Sequence, residues 1–149
     1  MGTNTPRLKK FLGKVVIIDA SVLIKVFLNE KESQEAKKFI DLHLKRNITL
    51  LSTPLLTFEL LNILVRHLKS RSAVNSAYIQ FKRLKIGLIP FEDSVVKGAI
   101  KLASEDLKIS FYDAAYHALA QDMGAVFLTA DAKYYERMKQ NGNIELFTL

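Results

Sequence analysis

Four consecutive β-branched residues, Val15-Val16-Ile17-Ile18, stop at an acid, Asp19, and a helical pattern runs from Ser21 to Leu28 immediately afterwards. This is the signature of a buried strand feeding a helix. Ser33 to Lys45 then sets Ala36, Phe39, Ile40 and Leu44 near one face with charges opposite, and Ile48 to Leu51 reads as the next short strand. Strand, helices, strand is the order of a parallel sheet, because parallel neighbours need a long crossover between them. The fold class is therefore α/β.

The alternation continues to the end of the chain. Thr53-Pro54 opens a helix that runs to Leu68, proline being favoured in a first turn, and Ala73 to Leu84 is its antiparallel neighbour. Gly87 to Phe91 is a third strand, Val95 to Leu107 a long helix, and Ser110 to Met123 a helix whose alanines suit close packing. Ala125 to Thr129 is a fourth strand and Ala132 to Lys139 a short helix. Asn141-Gly142-Asn143 makes a turn into a last strand, Ile144 to Phe147. With no repeat, linker or low-complexity segment, residues 15–149 read as one domain. Residues 1–14, which carry Arg7, Lys9, Lys10 and Lys14 and no acid, read as a solvated basic leader.

Composition narrows the chemistry. A length of 149 residues suits one compact domain. Twenty-two Lys and Arg against fifteen Asp and Glu leave a charge of +7, which excludes an acidic, solvating chain and favours a polyanionic partner. The absence of cysteine removes disulfides, thiolate metal sites and cysteine nucleophiles, and three histidines leave few imidazole candidates. The apolar stretch Leu50 to Val65 is shorter than the roughly 18–20 residues of a membrane span and contains Glu59 and Asn62. Val15 to Leu28 is interrupted by Asp19 and Lys25, unlike a signal peptide. The expectation is a cytoplasmic protein without a membrane anchor.

Four acids stand where patterning turns them toward the interior or a cleft: Asp19, Glu59, Asp113 and Asp131. Asp19 follows the first strand and Asp131 the fourth, so both should project at the carboxyl edge of the sheet, where open α/β folds place ligands. Each also has a purely structural explanation. Asp19 or Ser21 can cap the following helix, and so can Thr129 or Asp131. Ser110 to Asp113 has the form of a capping box, and Glu59 with Asn62 and Arg66 can make a polar stripe. Four independent caps, however, have no need to converge. Converging carboxylates about 4 Å apart repel by about 4 kcal/mol at an effective dielectric near 20, so a cluster needs protons or a cation. An oxygen-only donor set points to Mg²⁺ or Mn²⁺ rather than zinc.

Together these residues resemble a known family. Ile18-Asp19-Ala20-Ser21, Glu59-Leu60-Leu61-Asn62, Tyr112-Asp113-Ala114-Ala115-Tyr116-His117-Ala118-Leu119-Ala120 and Leu128-Thr129-Ala130-Asp131 are similar, in order and spacing, to the motifs of PIN-domain ribonucleases, in the style of VapC-like toxins. The resemblance covers nearly the whole chain after the leader. It implies a parallel five-stranded sheet of order 3-2-1-4-5 flanked by helices. It implies Asp19, Glu59, Asp113 and Asp131 as metal-holding catalytic acids, with Asp19 and Asp113 as direct ligands. Ser21 and Thr129 match the family's hydroxyl positions, and Asn62 lies in the Glu59 motif. It further implies an RNA substrate, a small antitoxin whose helix and tail cover the site, and homodimerisation.

Other readings share these residues. A noncatalytic PIN-like module would bind RNA or protein with the acids as caps, and an RNA-processing PIN nuclease would work outside a toxin–antitoxin pair. A phosphatase of the haloacid-dehalogenase kind would need a second acid at position 21, where Ser21 stands. His67 or His117 as a general base is a weaker alternative to metal. For substrate, the interval between Glu59 and Glu92 contains no acid but holds Arg66, Lys69, Arg71, Lys82, Arg83 and Lys85, which can form a basic rim for RNA or simply a solvated face.

Overall fold

The structure, a computed structural model, describes residues 6–148. In chain order it contains α1 (Pro6–Lys9), β1 (Val15–Ile18), α2 (Ala20–Phe27), α3 (Ser33–Leu44), β2 (Thr49–Ser52), α4 (Leu55–Leu68), α5 (Arg71–Arg83), β3 (Gly87–Leu88), α6 (Asp93–Glu105), α7 (Phe111–Asp122), β4 (Val126–Thr129), α8 (Ala132–Met138) and β5 (Ile144–Leu146). The five strands form one sheet of order β3-β2-β1-β4-β5 with every neighbour parallel. β1 lies at its centre, flanked by β2 and β4, and Val16, Ile17 and Ile18 are fully buried. A strand covered on both faces has no use for polar alternation, which is why it is written in Val and Ile alone. Among the described residues, no helix is long and apolar enough to cross a membrane.

Two details differ from the sequence expectation, each for a local reason. The third strand ends at Leu88 rather than Phe91. Its last ladder bond is from Ile89 N to Ser52 O, and Pro90 has no amide proton to continue. In α3 it is Leu42 that is buried and Leu44 that is exposed, because the chain folds back over Leu42, whose carbonyl accepts from Asn47 N at 2.8 Å. Gly87 is where the shortened edge strand meets its neighbour: a Cβ there would stand 2.7 Å from Leu51 Cδ2.

The leader is not solvated throughout. Residues 1–5 lie outside the described residues, but Pro6–Lys9 is helical and Leu8 and Phe11 are buried. Phe11 meets Phe39 edge-on at 5.2 Å, and Phe39 meets Phe147 at 5.7 Å, so this segment packs on α3 and the chain end. Arg7 donates to the Thr148 carbonyl and Lys10 pairs with Glu145 at 2.8 Å. The four leader cations hid an i, i+3 apolar pair.

On the other side of the sheet, α7 packs against β1, β4 and α6 with Ala114, Ala115, Ala118 and Ala120 buried. Small side chains let helices approach closely: a Cβ at Gly98 of α6 would lie 3.3 Å from Ala118 Cβ. This close seating brings the first turn of α7, with Asp113, to the carboxyl ends of β1 and β4.

Candidate active site

β1 and β4 pair in register, Ile18 opposite Leu128, so the residues that follow, Asp19 and Thr129, emerge side by side. Thr129 Oγ1 donates to Asp19 Oδ2 at 2.7 Å. Asp19 is also the N-cap of α2: its Oδ1 accepts from the amides of Ser21 and Val22 at 3.0 and 3.3 Å, and from Ser21 Oγ at 2.5 Å. Ser21 Oγ in turn accepts from Ala130 N at 2.8 Å, and Asp131 N donates to Thr129 Oγ1 at 3.1 Å. The two hydroxyls thereby stitch the loop after β1 to the loop after β4.

The other acids come from helices. Asp131 caps α8, accepting from Tyr134 N at 3.0 Å. Asp113 lies in the first turn of α7, whose cap, Ser110, accepts from Asp113 N at 3.0 Å. Glu59, half-buried in the middle of α4, accepts from the Tyr116 hydroxyl at 3.0 Å. The capping roles are therefore real for Asp19 and Asp131, and for Ser110 beside Asp113, yet they do not compete with convergence. A carboxylate that caps one of these helices is already at the sheet edge.

The charges act on one another. Burial pushes Asp19 up to about 6; hydrogen bonds from Ser21, Thr129 and Val22 oppose this, and the nearby Asp113 adds to it. Glu59 is raised by burial and by Asp113 and Asp19, against its Tyr116 bond. Asp113 is raised by burial and by Asp131, against a bond from Ser110. Asp113 thus sits in the field of all three other acids. None of the four is ion-paired among the described residues.

Such a donor set fits a hard divalent cation, since uncompensated carboxylates sharing one edge favour either protons or a metal. Among the described residues, no three His, Asp or Glu side chains stand together in a group that could hold a metal ion. Mg²⁺ keeps several waters and takes few protein ligands, so it does not require such a group.

The remaining expected residues divide. Ser21 and Thr129 are at the edge, as described. Asn62 is exposed one turn beyond Glu59. Arg66, Lys69, Arg71, Lys82, Arg83 and Lys85 are all exposed on the α4–α5 hairpin and the turn after it, none ion-paired among the described residues. The two histidines differ in their settings. His117 is fully buried with its ring nitrogens engaged by Tyr134 Oη at 2.9 Å and Gly142 O at 2.7 Å, and His67 bonds the Ile63 carbonyl of its own helix. Both ring nitrogens of His117 are thus committed, whereas His67 is exposed with only Nδ1 engaged. Tyr116 was missed as a neighbour of Glu59; the only sequence signal was a bulky Tyr116 within a run of alanines.

Residues 16–140 match the family model for the PIN domain. The chain belongs to the PIN domain family. Among solved structures, this PIN domain is similar to VapBC2 from Rickettsia felis bound to a DNA fragment from their promoter, with TM-score 0.68 and 16% identity over 90% of this chain and 99% of that one. It is also similar to VapC20 of Mycobacterium tuberculosis, a Sarcin-Ricin loop cleaving toxin, with TM-score 0.61 and 18% identity over 82% and 94%. A toxin–antitoxin complex from Klebsiella pneumoniae matches with TM-score 0.60 and 15% identity over 87% and 95%. At these identities the likeness is one of fold. No curated protein matches the sequence significantly.

Proposed function

We propose that this PIN domain is a metal-dependent endoribonuclease that cuts RNA phosphodiester bonds through Asp19, Glu59, Asp113 and Asp131, and that it is the toxin of a type II toxin–antitoxin pair. The observation that carries the reading is the mutual field of the four acids, with Asp113 acting on or feeling each of the others. The toxin part is supported by the fold shared with a toxin that cleaves the Sarcin-Ricin loop and with toxin–antitoxin complexes.

Asp19 and Asp113 would be the direct ligands of Mg²⁺ or Mn²⁺, Glu59 would bind directly or through water, and Asp131 would complete the site. The cation, when bound, supplies an activated water and stabilises charge developing on the phosphate. Ser21 and Thr129 hold both oxygens of Asp19, so that carboxylate presents one orientation. Asn62, exposed one turn along α4 from Glu59, would play a supporting part. The exposed cations Arg66, Lys69, Arg71, Lys82, Arg83 and Lys85 would draw in the RNA backbone, which the acids alone would repel.

Partners follow the same reading. Phe58, Val65 and Ile79 are exposed on α4 and α5, an apolar surface suited to an antitoxin helix. We further propose a homodimer working in the cytoplasm, with residues 15–149 as the nuclease domain and 1–14 as its basic leader. The test is RNA cleavage by Asp19→Asn and Asp113→Asn, with folding checked by circular dichroism. Near wild-type cleavage by either folded variant removes the mechanism.

A further inference from the structure

The side of α7 that carries Asp113 carries two more polar groups. Tyr116 and His117 follow it at i+3 and i+4, the spacing that places three residues on one helix face, and both are fully buried. A buried hydroxyl or imidazole must find a partner, and a Leu or Phe in either place would have no such need. One partner of each, Glu59 on α4 and Tyr134 on α8, brings it to an element that bears or is capped by one of the acids.

The Tyr116 hydroxyl donates to Glu59 Oε2 on α4 at 3.0 Å. The Tyr116 ring is stacked on Phe127 of β4, centroids 5.9 Å apart and planes within 10°, so the hydroxyl is held in place. His117 Nε2 faces the Gly142 carbonyl, which can only accept, so that nitrogen carries the proton. Nδ1 therefore accepts from the Tyr134 hydroxyl at 2.9 Å. Tyr134 lies edge-on to Phe127 in the first turn of α8, where its amide donates to Asp131 Oδ1.

We propose that Tyr116 and His117 are positioning residues that set the spacing of the acids about Asp113: Tyr116 holds Glu59 on one side, and His117, through Tyr134, holds Asp131 on the other. The proposal rests on the reading of those acids as cation ligands. Outer groups of this kind orient ligands that would otherwise sample several rotamers. α7 then contributes one acid and aligns two more.

The experiment is Mn²⁺ titration by calorimetry on the metal-free protein, without RNA, using Tyr116→Phe and Tyr134→Phe, which keep the rings and remove one hydroxyl each. Each is expected to weaken Mn²⁺ binding about tenfold, as outer-shell changes do. Double variants separate positioning from packing. Tyr116→Phe should be non-additive with Glu59→Gln and additive with Asp131→Asn; Tyr134→Phe should show the reverse. Wild-type affinity in both folded Phe variants overturns the proposal, and so does coupling that fails to segregate in this way. Mn²⁺ binding absent from the wild type overturns the ligand reading as well, which distinguishes the two failures.

Discussion

The acidic edge and the α4–α5 hairpin are opposite in charge and opposite in construction. At the edge, Asp19 accepts from two backbone amides and two hydroxyls, and Glu59 has a buried phenol donating to it. On the hairpin and the turn after it, six cations stand in solvent with no acidic partner among the described residues, Lys82 lying only over the ring of Tyr78. Fixed, half-buried carboxylates can present one geometry, which chemistry needs to within about 0.5 Å. Loose surface cations create a field that is screened over about 8 Å at physiological salt. Precision belongs to the edge and attraction to the hairpin, and the two should respond to different perturbations.

The comparison breaks most sharply if the edge is not where RNA is cut. Asp19→Asn and Asp113→Asn are expected to lower the cleavage rate by at least about 100-fold, the upper end of what outer-shell changes cost. Gel assays at saturating RNA measure this, and binding of RNA to the hairpin should survive both changes. An edge variant that loses RNA binding in proportion to cleavage would merge the two regions into one.

Next in size is a dependence on pH set by the raised acids of the edge, which the lowered pKa of buried His117 opposes. The folded protein holds a proton on Asp19 up to a pKa of about 6, whereas the unfolded chain releases it near 3.8. Between those values the native state binds more protons, so this contribution to stability is full below about pH 4 and is lost as pH rises through about 6. For a shift of roughly two units the loss is about 3 kcal/mol. Glu59 and Asp113 are raised too and act with the same sign. Urea denaturation with a chelator, from pH 4 to pH 7, should give a fall that Asp19→Asn largely removes and that added Mn²⁺ offsets in the wild type. An identical pH slope in wild type and Asp19→Asn would show that Asp19 is not strained by its setting.

These two regions were not equally legible in the sequence. The edge was, because its acids terminate strands or interrupt apolar helices: Val15 to Ile18 could only be a buried strand, and Asp19 had to lie at its end. Parallel order followed from the crossovers. What the sequence did not disclose depends on contacts between distant segments. Tyr116 meets Glu59 across 57 residues, and Leu8 and Phe11 meet the core beyond a screen of lysines. No local pattern encodes such pairings. β3 was overextended because Ile89-Pro90 looks apolar, while the ladder depends on an amide that proline lacks. The hairpin cations were visible as a run without acids, and the structure adds that none has an ion-pair partner among the described residues.

The hairpin should answer to salt. For Lys69→Gln combined with Arg71→Gln, each lost contact to single-stranded RNA should reduce the slope of log affinity against log salt by about 0.7. The cleavage rate at saturating RNA should stay at the wild-type value. Fluorescence anisotropy across a salt series measures the slope. No change in slope would make these cations a solvated face and nothing more.

The smallest effect gives the closest comparison, because each region has a helix capped in the same way. Ser70 Oγ accepts from Ala73 N at 3.2 Å at the start of α5, and Ser110 Oγ accepts from Asp113 N at 3.0 Å at the start of α7. Changing either serine to alanine removes one cap, worth about 1 kcal/mol of stability. As local events the two losses should be nearly equal. Only Ser110, however, stands beside an acid, where its side chain favours the charged form of Asp113. Ser110→Ala should therefore weaken Mn²⁺ binding as well, whereas Ser70→Ala should leave it unchanged at the same cost in stability. If the two variants lose stability alike and Mn²⁺ binding is untouched in both, the helix cap beside Asp113 is only a cap, and the constraint on that acid must come from elsewhere on α7.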